Sequence, residues 1–187
     1  ERKTSSIEQV KEDLASKGLA YKQMKLPVSK ISPEFEKELK EKVERNILHA
    51  KIREATEEDL ESVMHLYNRS WMTSNTPFSP ITLDSLQEIF SYSETVILIA
   101  KVYGSDAGFA ILDFEDGNKY GIIAGMGVIP RFQRKGLGTV LGMAAWNLFK
   151  EAGVEELRCE VYVENENSHN FISSLGFEVF ETRVYKT

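Results

Sequence analysis

The stretch of sequence that decides the fold is residues 127–139, which reads Gly-Val-Ile-Pro-Arg-Phe-Gln-Arg-Lys-Gly-Leu-Gly-Thr. It joins an apolar strand, which Pro130 closes, to a helix through a turn that contains Arg131, Arg134 and Lys135. Glycines allow backbone amides to approach an anion closely, and a helix N-terminus adds unsatisfied N–H groups and a partial positive charge. The turn therefore predicts a pyrophosphate site; the alternative is a solvated basic loop whose glycines serve only the turn.

Two other nucleotide-binding motifs fit this turn poorly. A Walker loop needs a lysine followed by Ser or Thr after its last glycine, whereas Lys135 precedes Gly136. A dinucleotide fingerprint needs its first glycine directly after the strand, and here residues 130–135 intervene.

Around this turn, strands and helices alternate from residue 51 onward, which predicts an α/β mixed sheet with helices packed on it. Apolar alternation indicates strands at 50–53, 95–103, 107–114, 120–129, 156–163 and 177–185. Helical patterns begin near residue 56 and cover 81–90, 137–152 and 166–175. Between the first two helices, residues 70–80 read as an irregular loop.

The first fifty residues have a different texture, rich in Lys and Glu, and predict a helical N-terminal extension (1–50) before the main domain (51–187). A first apolar stripe ends at Gly18, and a second helix starts with Ser32 as its cap and Pro33 at its first position. The first stripe consists of Ile7, Val10 and Leu14, and the second, here called the seam, consists of Phe35, Leu39, Val43 and Ile47. The seam covers either the main domain or a second copy of the chain, which makes it a candidate homodimer interface.

Composition bounds the function. The 187 residues carry a net charge of -6, which argues against general binding to nucleic acid or to anionic membranes. The single cysteine, Cys159, excludes an internal disulfide and is expected to be a buried, inert thiol in a cytoplasmic protein. No aliphatic run is long enough to span a bilayer, and the three histidines are too scattered to predict a metal site.

The turn also carries a family resemblance. Residues 133–138, Gln-Arg-Lys-Gly-Leu-Gly, resemble the Q/R-x-x-G-x-G/A signature of the GNAT acetyltransferases. The spacing from Val128 to Pro130, the later Asn165 and the Leu-Gly-Phe at 175–177 are similar to the family pattern, so the resemblance covers roughly residues 51–187. It implies the GNAT acyl-CoA-binding fold and transfer of acetyl from acetyl-CoA to a primary amine by direct attack in a ternary complex. The acceptor would be a protein N-terminus, a lysine or a small molecule.

The resemblance also implies which residues hold the cofactor. Backbone amides of residues 134–139 would bind the CoA pyrophosphate, and the strand edge 126–128 would pair with the pantetheine arm. The implied contacts are Met126, Gly127, Val128, Gln133, Arg134, Lys135, Gly136, Leu137, Gly138, Thr139, Asn165 and Ser168. The N–H of Val128 would polarise the thioester carbonyl, since a fixed amide donor stabilises a developing oxyanion. A helix cap is the alternative role for Asn165.

Amine acetylation requires a base, and Glu160 is the candidate. It lies five residues before Asn165, where ribosomal-protein alanine acetyltransferases of the family place a catalytic glutamate; the alternative is a solvated charge on an exposed strand face. The position of the family's tyrosine acid is occupied by Ile172, so Tyr162 is a substitute acid or simply a packing residue. A CoA-binding sensor or interaction domain without catalysis is the alternative function. The loop residues Trp71, Met72, Pro77 and Phe78 either shape the acceptor groove or anchor the loop.

Overall fold

The computed structural model describes residues 20–71, the side chain of Trp71 excepted, and residues 80–185. Within these ranges, seven strands form one sheet: β1 Ala20–Pro27, β2 Lys51–Glu54, β3 Thr95–Val102, β4 Ser105–Glu115, β5 Tyr120–Val128, β6 Glu156–Tyr162 and β7 Glu178–Val184. Five helices of the described part accompany them: α1 Pro33–Glu44, α2 Leu60–Trp71, α3 Leu83–Ser91, α4 Leu137–Glu151 and α5 Glu166–Ser174. The sheet order is β2-β3-β4-β5-β6-β1-β7, and only β5 and β6 run parallel. The predicted α/β mixed sheet is confirmed.

The helix start signals act as the sequence indicates. The hydroxyl of Ser32 accepts a hydrogen bond from the Phe35 N–H at 3.0 Å, with Pro33 at the first position of α1. Thr56 and Asp59 form a capping box in the short 3-10 turn that leads into α2. Within the described residues, none of the helices is long and apolar enough to cross a membrane.

The prediction of a helical N-terminal extension is wrong for residues 20–27, which form the strand β1. This strand lies between β6 and β7 and pairs antiparallel with both. Its side chains alternate, with Met24 and Leu26 buried on one face. The boundary predicted at residue 50 is therefore not a boundary of the sheet. The predicted first helix, with Ile7, Val10, Leu14 and Gly18, lies outside the described residues.

The seam of α1 covers the chain's own domain. Leu39 and Val43 pack against the core, and Phe35 lines a small apolar cavity between α1 and α4. An ion pair between Glu36 and Lys150 of 2.8 Å holds the two helices together. Of the seam residues, only Ile47 remains largely exposed, at 74%. The structure therefore shows the seam covering the main domain, the first of the two alternatives.

The helices lie on two faces of the sheet. A side chain at Gly108 of β4 would contact Leu141 of α4, whereas the next residue, Phe109, has its ring 5.6 Å from that of Tyr67 in α2. Since neighbouring strand residues point to opposite faces, α2 and α4 lie on opposite sides of the sheet. We call these the α2 face and the α4 face.

Candidate active site

The two parallel strands separate in the middle of the sheet. Their pairing ends at Ile123 and Cys159, and the register of β5 against β4 shifts at the same point, which leaves Ala124 as the extra residue of a bulge. A bulge bends its strand and ends regular pairing. Beyond it β5 and β6 diverge around a groove of about 690 Å³, lined by both strands and by the facing residues of α4 and α5.

The edge of β5 presents unpaired backbone groups to this groove. The N–H of Ile129 donates to the carbonyl of Ala107 at 2.9 Å, so Ile129 directs its backbone toward β4. Because backbone groups alternate along a strand, Gly127 also faces β4, whereas Met126 and Val128 face the groove. The carbonyl of Val128 accepts a hydrogen bond from the Gln133 side chain at 2.8 Å. The N–H groups of Met126 and Val128 are therefore the donors aimed into the groove.

The turn before α4 has the backbone shape of an anion site. Arg134 and Gly136 adopt left-handed φ angles of 61° and 81°, and Gly136 occupies the N-cap position, where no side chain caps the helix. The first amides of an α-helix, here those of Leu137, Gly138 and Thr139, have no acceptor within the helix. Converging N–H groups at a helix N-terminus, with an exposed Arg134 beside them, suit a phosphate.

At the other end of the groove, on the α2 face, stands the carboxylate of Glu160. It accepts hydrogen bonds from the Gln23 side chain, at 3.1 Å, and from the Tyr185 hydroxyl. Among the described residues, no Lys, Arg or His lies within 4.0 Å of it. Burial, and then the charge of Glu160, raise the pKa of Tyr21. Burial, followed by Tyr21 and then by the charge of Glu160, raises the pKa of Tyr67 to about 12.

A sequence profile described as the Acetyltransferase (GNAT) family matches residues 60–177. The chain belongs to the GNAT family. It is an N-acetyltransferase that uses acetyl-CoA. It is 28% identical, over 72% of its own length and 90% of the relative's, to the aminoglycoside N(6')-acetyltransferase type 1 of Stenotrophomonas maltophilia.

Solved structures agree on the GNAT fold. The chain resembles the aminoglycoside N-acetyltransferase AAC(6')-Iy in complex with CoA, with a TM-score of 0.61 and 23% identity over 74% of this chain and 94% of that one. It resembles the PaiA N-acetyltransferase of Thermoplasma acidophilum in complex with coenzyme A, with a TM-score of 0.63 and 19% identity over 73% and 99%. It also resembles the ribosomal-protein-S18-alanine N-acetyltransferase of Escherichia coli, with a TM-score of 0.59 and 22% identity over 68% of this chain and 76% of that one.

The structure brings most of the predicted site residues of this GNAT chain to the groove. Those that line it are Met126, Gly127, Val128, Gln133, Arg134, Gly138, Glu160, Tyr162, Asn165 and Ser168. Lys135 and Gly136 are exposed on the turn and do not line the groove itself. The side chain of Leu137 is buried in the core, and Thr139 lines the small apolar cavity instead.

Two predicted residues already have partners within the chain. The Asn165 side chain accepts a hydrogen bond from the Ser168 N–H at 3.1 Å, which makes it the cap of α5, as the alternative role had it. The Tyr162 hydroxyl donates to Glu164 at 3.3 Å. Burial, followed by Glu164, raises the pKa of Tyr162, so this hydroxyl keeps its proton strongly and is a weak acid. Ile172 lines the groove and has no proton to donate.

Sequence reasoning missed the residues that surround Glu160. Tyr21 and Gln23 come from β1, Tyr67 from α2, and Tyr185 from the residue after β7. Tyr21 has its ring centre 5.4 Å from that of Tyr185. The sequence feature that could have revealed β1 is its period-two pattern, in which polar side chains alternate with the buried Met24 and Leu26. The loop residues Met72, Pro77 and Phe78, and the side chain of Trp71, lie outside the described part.

The free cysteine is predicted to be inert in the native protein. Cys159 is buried on the α4 face of β6, and burial, followed by Glu160, raises its pKa to about 12. At pH 8 the thiolate fraction is then about a thousandfold below that of an exposed cysteine. An aromatic disulfide reagent, which releases a coloured thiolate when it reacts with a thiol, should therefore react negligibly with the native chain. After denaturation it should titrate one thiol. Rapid reaction of the native protein would show instead that β6 opens readily.

Proposed function

We propose that this enzyme acetylates a primary amine of a small molecule with several positive charges, with Glu160 as the general base. The observation that carries this proposal is the position of Glu160. Its carboxylate lies in the groove, on the α2 face, accepts hydrogen bonds from two neutral side chains and has no described Lys, Arg or His within 4.0 Å. A carboxylate that the protein leaves without a counter-ion attracts the ammonium group of a substrate.

The residues present fit the arm of CoA and its pyrophosphate. The strand edge and the turn both require glycine where the chain packs on itself: a Cβ would lie 2.7 Å from Phe109 at Gly127 and 2.7 Å from Asn46 at Gly136. Bound there, acetyl-CoA supplies an acetyl thioester. The backbone amides of residues 134–139 would hold the pyrophosphate, and the free edge of β5 at Met126 and Val128 would hold the arm as a further strand does.

Glu160 would take one proton from the bound ammonium group, which frees the nitrogen lone pair to attack the acetyl carbon, and the second proton lost as the amide forms would pass to solvent. The N–H of Val128, fixed by the sheet, would donate to the carbonyl oxygen as negative charge develops on it. Attack by the nitrogen would displace the CoA thiolate, which would keep the electron pair of the carbon–sulfur bond. Tyr162 is a poor donor for that sulfur because its hydroxyl is directed at Glu164 and its pKa is raised. Departure of the thiolate without a dedicated acid is therefore the path that we propose.

Two features support a cationic acceptor: the negative charge of Glu160 and the aromatic side chains around it. Tyr21, Tyr162 and Tyr185 stand around Glu160, and a cation near an aromatic face is stabilised by about 0.5–2 kcal/mol. The net charge of -6 adds a long-range attraction for cations. The aminoglycoside acetyltransferase of S. maltophilia, a relative that covers most of this chain, supports the same class.

A comparison of acceptors tests this proposal. Acetyl transfer would be measured with an aminoglycoside, a linear polyamine, a neutral primary amine and a peptide with a free N-terminus, each at low and high salt. We expect kcat/KM to be highest for the polycations and to fall as salt screens the attraction. A preference for the peptide would shift the acceptor to a protein N-terminus. Saturable CoA binding without transfer to any amine would favour the non-catalytic alternative.

A further inference from the structure

A residue outside the signature holds the phosphate-binding turn. Asn46 lies in the connection between α1 and β2, and its side-chain amide donates to the carbonyl of Lys135 at 2.9 Å. Its own carbonyl oxygen accepts from the N–H of Leu48 at 3.0 Å, so the side chain is fixed at both ends. The same amide nitrogen lies 2.7 Å from the place where a Cβ of Gly136 would be. Asn46 therefore closes one side of the turn.

This contact sets the direction of a backbone amide. The peptide between Lys135 and Gly136 is planar and trans, so its C=O and its N–H point in opposite directions. Because Asn46 binds the carbonyl on one side, the N–H of Gly136 is held on the other side, away from Asn46. Glycine accepts a wide range of φ angles, and Gly136, with φ of 81°, flanks this peptide, so the peptide plane can rotate. Without a partner for the carbonyl, the orientation of this N–H is not fixed.

The support for Asn46 comes from the N-terminal part of the chain. α1 is docked on α4 by the Glu36–Lys150 ion pair and by Leu39 and Val43, and Asn46 follows α1 directly. The connection is thus anchored to the helix whose N-terminus forms the turn. The turn is therefore supported by α1 and the connection after it. Both precede residues 60–177, the part of the chain that matches the family profile.

We propose that Asn46 is a positioning residue for the donor: it aligns the N–H of Gly136 for the pyrophosphate of CoA. The proposal rests on the cofactor site proposed above and deepens it. In this proposal Asn46 itself does not contact CoA. Its effect should therefore be confined to donors that possess the pyrophosphate.

The test uses two variants, two donors and one control. Asn46→Asp keeps the acceptor for Leu48 and removes the donor to Lys135; Asn46→Ala removes both without adding charge. Arg45→Ala changes the neighbouring side chain, whose hydrogen bonds in the described part of the chain go to Glu41 of α1. CoA binding would be measured by calorimetry, and transfer kinetics with acetyl-CoA and with acetyl-pantetheine, which lacks the pyrophosphate. Thermal melting would verify folding.

We expect Asn46→Ala to raise the Kd for CoA about tenfold, the size of one lost hydrogen bond, and Asn46→Asp to raise it further. The KM for acetyl-pantetheine and the kcat with that donor should stay at the parent's values in both variants and in Arg45→Ala. Unchanged CoA binding would overturn the inference. So would an equal loss with both donors, or unfolding of both variants, because Asn46 would then serve the fold alone. A parent protein that does not bind CoA would instead overturn the proposed function.

Discussion

Replacing Glu160 by glutamine is expected to lower kcat for acetyl transfer by about 10²–10⁴-fold, the usual contribution of a general base. Glutamine has nearly the same shape and keeps a carbonyl oxygen that can accept from Gln23 and Tyr185. It cannot take a proton from the attacking amine, and it removes the negative charge that attracts the acceptor. The KM for the acceptor should therefore rise while the Kd for CoA stays unchanged. Steady-state kinetics together with calorimetry separate these effects.

Glu156 offers a matched control for this substitution. It is a glutamate on the same strand and the same face of the sheet, but it is ion-paired with Arg158 at 2.6 Å. Glu156→Gln should change kcat less than about threefold, because its partly buried ion pair lies outside the groove and contributes to stability by only about 1 kcal/mol. If both variants kept full activity, Glu160 would be the solvated strand charge of the alternative interpretation. Another group would then have to accept the proton.

The parts of the fold that were predicted correctly are those set by local pattern. Alternation with period two marks β3 to β6, and the apolar periodicity of residues 137–152 marks α4, because burial on one face requires these spacings. The turn between β5 and α4 was predictable since its proline and glycines are contiguous in sequence, whereas its role as a phosphate site stays a prediction. Caps such as Ser32 are likewise local signals.

The parts that were missed depend on contacts distant in sequence. Residues 20–27 form a strand only because β6 and β7 leave a position between them, and no spacing within the first fifty residues shows that. Gln23 and Tyr185 meet at Glu160 from opposite ends of the chain, with 137 and 25 residues of separation from it. Asn46 reaches Lys135 across 89 residues. Polar residues that serve a site in this way have no signature of their own.

Gly136→Glu is expected to weaken CoA binding by on the order of 100-fold or more, the second large effect. A non-glycine residue costs about 1–2 kcal/mol in the left-handed conformation, and Gly136 has φ of 81°. Its Cβ would lie 2.7 Å from the Asn46 amide nitrogen, so either the turn or Asn46 must move. The added carboxylate would also stand where the pyrophosphate is proposed to bind. Calorimetric titration with CoA measures the loss directly.

Gly117→Glu is the matched control, since it separates the site from the general cost of the substitution. Gly117 also has a left-handed φ, of 61°, but nothing lies within 4 Å of its Cβ position, and it sits in the turn at the opposite end of β5. It introduces the same charge and a similar backbone penalty, so its melting temperature should fall comparably while CoA binding stays at the parent value. Gly136→Ala, without the charge, should give an intermediate loss. If Gly117→Glu weakened CoA binding as much as Gly136→Glu, the effect would come from stability, and the pyrophosphate would have to bind elsewhere.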